Sequence, residues 1–184
     1  MKIHVLSGLV AGVRQVGSPN FDARPQNVEP EVIIVHSISL PPGQYGGKEV
    51  EDLFCNRLDC QSHPYFHSLE NLRVSAHFLV RRDGEVIQFV SLNKRAWHAG
   101  VSFCIGRENV NDFSIGIELE GCDDDEFEDN QYDSLNSLIE LLLGHFSNMD
   151  YNRIFGHSDI APDRKTDPGP NFDWPRIGVT NRTV

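Results

Sequence analysis

The chain has 184 residues, of which 39% are hydrophobic and 23% charged, a globular composition long enough to bury a core without disulfide or metal staples. Its 16 Lys+Arg against 27 Asp+Glu give a formal net charge of -11. That balance excludes nucleic acid and anionic membrane as partners, because phosphates are held by a surplus of cations. No apolar run approaches the roughly 20 residues of a spanning helix, and no repeat or linker divides residues 1–184, which are expected to form one domain.

In chain order, residues 3–13 are the first apolar stretch, expected to be a buried segment. They have the length of a secretory core but contain His4 and Ser7, and no small-residue cleavage site follows. This predicts a cytoplasmic protein, and Cys55, Cys60, Cys104 and Cys122, without a C-x-x-C pair, read as free thiols. Residues 31–36 form a β-branched run that stops before Pro41-Pro42-Gly43, the pattern of a buried strand ending at a loop. A short helix is expected over 48–54, with Val50, Leu53 and Phe54 on one face. Residues 75–81 and 85–90 flank Asp83-Gly84, a hairpin signal.

Residues 113–120 alternate, with Phe113, Ile115, Ile117 and Leu119 on one face and Ser114, Gly116, Glu118 and Glu120 on the other. The acidic run 123–129 lacks the spacing of a calcium loop and reads as a solvated lead into a helix over 130–146. Interleaved strands and helices with one hairpin predict an α/β (α+β) fold: a mixed central sheet flanked by helices.

Residues 156–170 place a histidine, an arginine, a lysine and three aspartates between glycines and prolines. Such a segment is expected to be neither helix nor regular strand, and irregular loops rich in ionisable groups are where sites are built. Catalytic zinc takes three protein ligands of His and carboxylate type. His157 and Asp167 could supply two, and His36, at the end of its strand, a third. Against that stand ordinary readings: structural histidines, a wet strand face for Glu118 and Glu120, a surface Lys165.

Six stretches in order carry a resemblance that spans about residues 19–174. They are Asn20-Phe-Asp-Ala-Arg-Pro25, Val35-His-Ser-Ile-Ser-Leu-Pro-Pro-Gly43, Ser75-Ala-His-Phe-Leu-Val-Arg-Arg-Asp-Gly84, Arg95-Ala-Trp-His-Ala-Gly100, Asn111-Asp-Phe-Ser-Ile-Gly-Ile-Glu-Leu-Glu-Gly121, and Gly156-His-Ser-Asp-Ile-Ala-Pro162 continuing to Pro170. The sequence resembles the AmpD type of N-acetylmuramoyl-L-alanine amidase, cytosolic zinc enzymes of cell-wall recycling. The resemblance implies Zn²⁺ bound by His36, His157 and Asp167, Glu118 as general base and Lys165 as oxyanion stabiliser. It implies an anhydro-muropeptide substrate cleaved between the lactyl group and L-alanine. Arg73 corresponds to a contact for a stem-peptide carboxylate, and Trp97 and His98 to the sugar side.

For Gly116 the expectation is close approach of substrate to the backbone. His77 is expected to be a buried, hydrogen-bonded histidine, and His63 and His67 loop residues. Ser37 and Asn109 depart from the family pattern, which has Asn and Arg there; Ser37 is expected to touch substrate, and Arg107 to compensate for Asn109. A monomer is expected. The alternatives are a muropeptide-binding module without catalysis and a periplasmic amidase acting on intact wall.

Overall fold

The computed structural model describes residues 1–180; the last four residues of the expected domain lie outside the described residues. A six-stranded mixed sheet runs in the order Ile154–Gly156, Val32–Ile38, Ser114–Glu120, Phe78–Val80, Val86–Gln88, Arg14–Gln15. The first four strands are mutually parallel, and only the hairpin of the fourth and fifth is antiparallel. Arg81 N donates to Glu85 O at 2.9 Å across that hairpin's turn, and Gly84 takes a φ of +86°. A side chain there would be strained, which explains the Asp-Gly signal.

Parallel strands are covered on both faces, and Val32, Ile33, Ile34 and Val35 are each 0% exposed. On one face the helix Asp129–Leu143 sets Leu135, Leu138, Ile139 and Leu142 against Ile33, Val35, Ile115, Ile117 and Leu119. The opposite face packs Val32 and Ile34 with Ala99, Val110, Phe113 and Phe155. The short helix Glu49–Phe54 buries Val50, Leu53 and Phe54 against Leu79 and Ile87.

Four expectations change. Residues 3–13 fold as the hairpin Lys2–His4 with Leu9–Ala11, not as one buried segment. Gly8, at φ +64°, reverses the chain, so Ile3 and Val10 point inward while Leu6 at the tip is fully exposed. The Glu118 strand begins at Ser114; Phe113 closes the 3₁₀ turn Val110–Phe113 and packs on the opposite face from Ile115. The long helix ends at Leu143, and Phe146 is buried beyond it. Finally, Gly156 completes a strand and His157–Ile160 forms one helical turn, because the Asp159 carboxylate accepts from Gly156 N at 2.6 Å and caps it.

Candidate active site

Register brings the chemistry together. In the two central parallel strands His36 pairs with Glu118, so both side chains leave the same face near the carboxyl ends. Gly156 pairs with Val35 in the next strand, which delivers His157 beside His36. The crevice outside the carboxyl ends of parallel strands is the usual ligand position in open α/β sheets. Asp167 returns to it from the loop that follows, held by Ser158 N donating to its own carbonyl at 2.9 Å.

Three atoms converge there. His36 Nδ1 and His157 Nδ1 are 2.9 Å apart, and Asp167 Oδ2 lies 3.2 Å from the first and 3.1 Å from the second. Tetrahedral zinc with bonds of 2.0–2.1 Å separates its ligands by about 3.3–3.4 Å, so this group can hold such a metal with little adjustment. The remaining nitrogens face away: His36 Nε2 is 2.9 Å from His98 Nδ1, and His157 Nε2 is 3.2 Å from Ala99 O. Both histidines therefore have the outer partners that metal-binding imidazoles use.

Burial lowers the His36 pKa to about 4, with the neighbouring His157 adding to it and Asp167 opposing it. His36 is thus neutral at pH 7. Burial by itself would raise the Asp167 carboxyl; the hydrogen bonds from His157 and His36 outweigh it and hold the group well below the usual carboxylate range. Glu118 is the opposite case. Burial pushes its pKa well above the ordinary value, the Asp167 charge adds to this, and Lys165 counteracts it. Its Oε2 is buried without a hydrogen-bond partner, so the group is poised to take a proton.

These side chains line a cleft of about 750 Å³ together with Lys165 and Trp97. A buried cluster of two histidines and a carboxylate, beside an acid with one unpartnered oxygen, can perform metal-assisted hydrolysis. Residues 26–170 match the N-acetylmuramoyl-L-alanine amidase family. The chain belongs to that family. The amidase is 52% identical over 172 residues to the 1,6-anhydro-N-acetylmuramyl-L-alanine amidase AmpD of Escherichia coli K12, covering 94% of this chain and 93% of that one. A crystal structure of a selenomethionine AmpD derivative superposes with a TM-score of 0.93 at 49% identity, covering 97% of this chain and 98% of that one. AmiD from E. coli, solved with the substrate anhydro-N-acetylmuramic acid-L-Ala-D-gamma-Glu-L-Lys, gives a TM-score of 0.60 at 28% identity, over 84% of this chain and 59% of that one.

The other expected residues of the amidase divide. Arg73 lies on the exposed rim of the cleft, its guanidinium donating to Glu70 O and Leu72 O at 3.1 and 2.9 Å. Trp97 is half-buried and lines the cleft, and Ser37 Oγ donates to Asp123 Oδ1 at 3.3 Å on its wall.

Arg107 does not reach the cleft. It pairs with Glu31 at 3.0 Å and stacks on the Phe113 ring at 3.8 Å, so its charge is committed elsewhere. Asn109, at φ +58°, lines a neighbouring hollow. His98 lines the cleft but is buried, and both its ring nitrogens are engaged, Nδ1 with His36 Nε2 and Nε2 with Ser114 Oγ. Gly116 makes room for the His98 ring, which a Cβ would meet at 2.5 Å, and not for substrate.

His77 is the expected buried histidine: it accepts from Gly116 N through Nδ1 and sits 3.1 Å from Lys94 O through Nε2. His63 caps the 3₁₀ turn Pro64–Leu69, which contains His67. All four cysteines are free. Sequence reasoning assigned no role to Arg164, which lines the cleft and donates to Ala99 O and Val101 O at 2.7 and 2.8 Å, or to Asn111, whose Oδ1 accepts from His98 N and Ala99 N. Asn111 opens the motif that contains Glu118, so its position in that stretch was the available signal.

Proposed function

We propose that this amidase hydrolyses the amide bond between the lactyl group of 1,6-anhydro-N-acetylmuramic acid and the L-alanine of the stem peptide, with Zn²⁺ held by His36 Nδ1, His157 Nδ1 and Asp167 Oδ2. The observation that carries the reading is the convergence of those three atoms within 2.9–3.2 Å of one another, beside a Glu118 carboxyl oxygen that nothing in the protein satisfies. The anhydro-sugar preference rests on the relatives named for it. The AmiD complex with an anhydro-muropeptide supports a substrate of that class.

When bound, Zn²⁺ polarises the amide carbonyl and acidifies water towards a pKa of about 7. Glu118 takes the proton of the attacking water on Oε2 and passes it to the departing alanine nitrogen. The Lys165 ammonium stabilises the negative charge that develops on the carbonyl oxygen. The Arg73 guanidinium binds a stem-peptide carboxylate at the rim, and the Trp97 face packs on the sugar. The resemblance to cytosolic recycling amidases favours action in the cytoplasm; separately, among the described residues no helix is long and apolar enough to cross a membrane.

The deciding experiment is mass spectrometry of anhydro-muramyl tripeptide incubated with the protein, with and without a strong chelator. Release of anhydro-N-acetylmuramic acid and intact tripeptide is expected, abolished by chelator and restored by Zn²⁺. Intact substrate in zinc-replete buffer overturns the proposal in favour of a binding module. Activity recovered in a periplasmic fraction overturns the location.

A further inference from the structure

His98 and Ala99 are consecutive, and each meets the outer nitrogen of a different histidine of the cluster. His98 Nδ1 lies 2.9 Å from His36 Nε2, and Ala99 O lies 3.2 Å from His157 Nε2. The dipeptide is itself clamped: Asn111 Oδ1 accepts from His98 N at 3.1 Å and from Ala99 N at 2.8 Å. The His98 ring rests on the Gly116 backbone, where a Cβ would come within 2.5 Å, and His77 meets it edge-on at a centroid distance of 5.9 Å. Its far nitrogen, Nε2, is 3.0 Å from Ser114 Oγ.

We infer that the His98–Ala99 dipeptide, clamped by Asn111, is a bracket that fixes the tautomer and orientation of both metal-binding histidines, and that His98 and Asn111 act as positioning residues. The inference rests on the reading that His36 and His157 bind metal through Nδ1. Two imidazole nitrogens 2.9 Å apart with no metal between them share one proton, so one must donate and the other accept. With the His36 Nδ1 lone pair given to a metal, its Nε2 carries the hydrogen and His98 Nδ1 accepts. His98 Nε2 then carries a hydrogen and donates to Ser114 Oγ, so the direction of the whole chain is set. No polar atom of the His98 ring is left for a sugar. For His157 a backbone carbonyl does the same work, and a carbonyl can only accept, which places the hydrogen on Nε2.

The test is Zn²⁺ affinity by competition with a chromophoric chelator, with the absorption spectrum of the Co²⁺-loaded protein as a second readout. The wild type, His36→Ala, His98→Leu, His98→Asn and Asn111→Ala are compared. Asn places an amide oxygen where His98 has Nδ1, so it keeps the acceptor; Leu removes it at similar volume. His98→Leu is expected to weaken Zn²⁺ binding about 10–100-fold and to alter the Co²⁺ spectrum, as outer-partner losses do. His98→Asn is expected to retain near wild-type affinity. Should His98→Leu not fold, Asn111→Ala is read in its place, with roughly tenfold weaker Zn²⁺ binding expected.

Unchanged affinity in His98→Leu, or equal losses in His98→Leu and His98→Asn, overturns the bracket, as does unchanged affinity in Asn111→Ala. A wild type that binds no Zn²⁺, or a His36→Ala variant that binds it equally well, instead overturns the metal reading on which the bracket rests.

Discussion

Glu118 and Glu120 leave one strand two residues apart, on one face, and are 8% and 3% exposed. Glu120 is fully engaged: Oε1 accepts from Gly46 N at 2.7 Å and Arg81 Nη1 at 3.1 Å, and Oε2 accepts from Arg82 N at 3.2 Å. Arg81 in turn reaches Glu51 at 2.5 Å, which also pairs with Arg14 at 2.7 Å. Glu118 has an oxygen with no partner. The same carboxylate on the same surface is thus a structural charge where donors surround it and a reactive group where they are withheld, because burial penalises an ion that nothing solvates.

The sharpest way to break this contrast is Glu118→Gln. Hydrolysis of anhydro-muramyl tripeptide is expected to fall by about 10²–10⁴, while the metal-free protein melts higher at pH 8. Its raised pKa means that folded Glu118 holds a proton more tightly than the unfolded chain, whose value is near 4.5. Wild-type stability therefore declines as pH rises from 4.5 through the raised value, and the gain from Gln vanishes below pH 4.5. A melting temperature that does not rise at pH 8 contradicts the assignment.

Lys165→Ala tests the positive side of the cleft. A loss of about 10²–10³ in kcat is expected with metal affinity retained, and steady-state kinetics on Zn²⁺-loaded protein would show it. Glu120→Ala should do the reverse, costing about 3 kcal/mol of stability in urea unfolding. That is the lower end for breaking a buried pair, since Glu51 still neutralises Arg81. Activity below the unfolding transition should persist; its disappearance would place Glu120 in the chemistry.

A last test concerns His77. Burial, reinforced by the Arg24 charge, lowers its pKa to about 3 from an ordinary 6.5. The unfolded chain then binds more protons between those values, so stability rises with pH across that window and falls on acidification. Thermal melts of metal-free protein from pH 7 to 4 should trace the decline. A level profile would contradict a neutral buried imidazole.

Much of the fold is legible because its signals are local. The β-branched run ending at His36, the alternation through Glu118, the Asp-Gly turn and the helical spacing of Leu135, Leu138, Ile139 and Leu142 each name an element. Errors fall where a turn or contact interrupts a pattern. Gly8 splits residues 3–13, Phe113 belongs to a 3₁₀ turn that switches faces, and Asp159 creates a helical turn in a stretch rich in breakers.

By itself the sequence determined four of the six strands of the central sheet, the long helix and, through six ordered motifs, the residue types of an amidase. Only the tertiary structure decided what neighbours each side chain meets. Parallel register sets His36 beside Glu118 and brings His157 in from 121 residues away. It also turns Arg107 onto Glu31 and sets His98 against His36. Identity and spacing constrain the chain only a few residues at a time, whereas hydrogen-bond partners and desolvation are set by segments far apart in sequence that share one buried face.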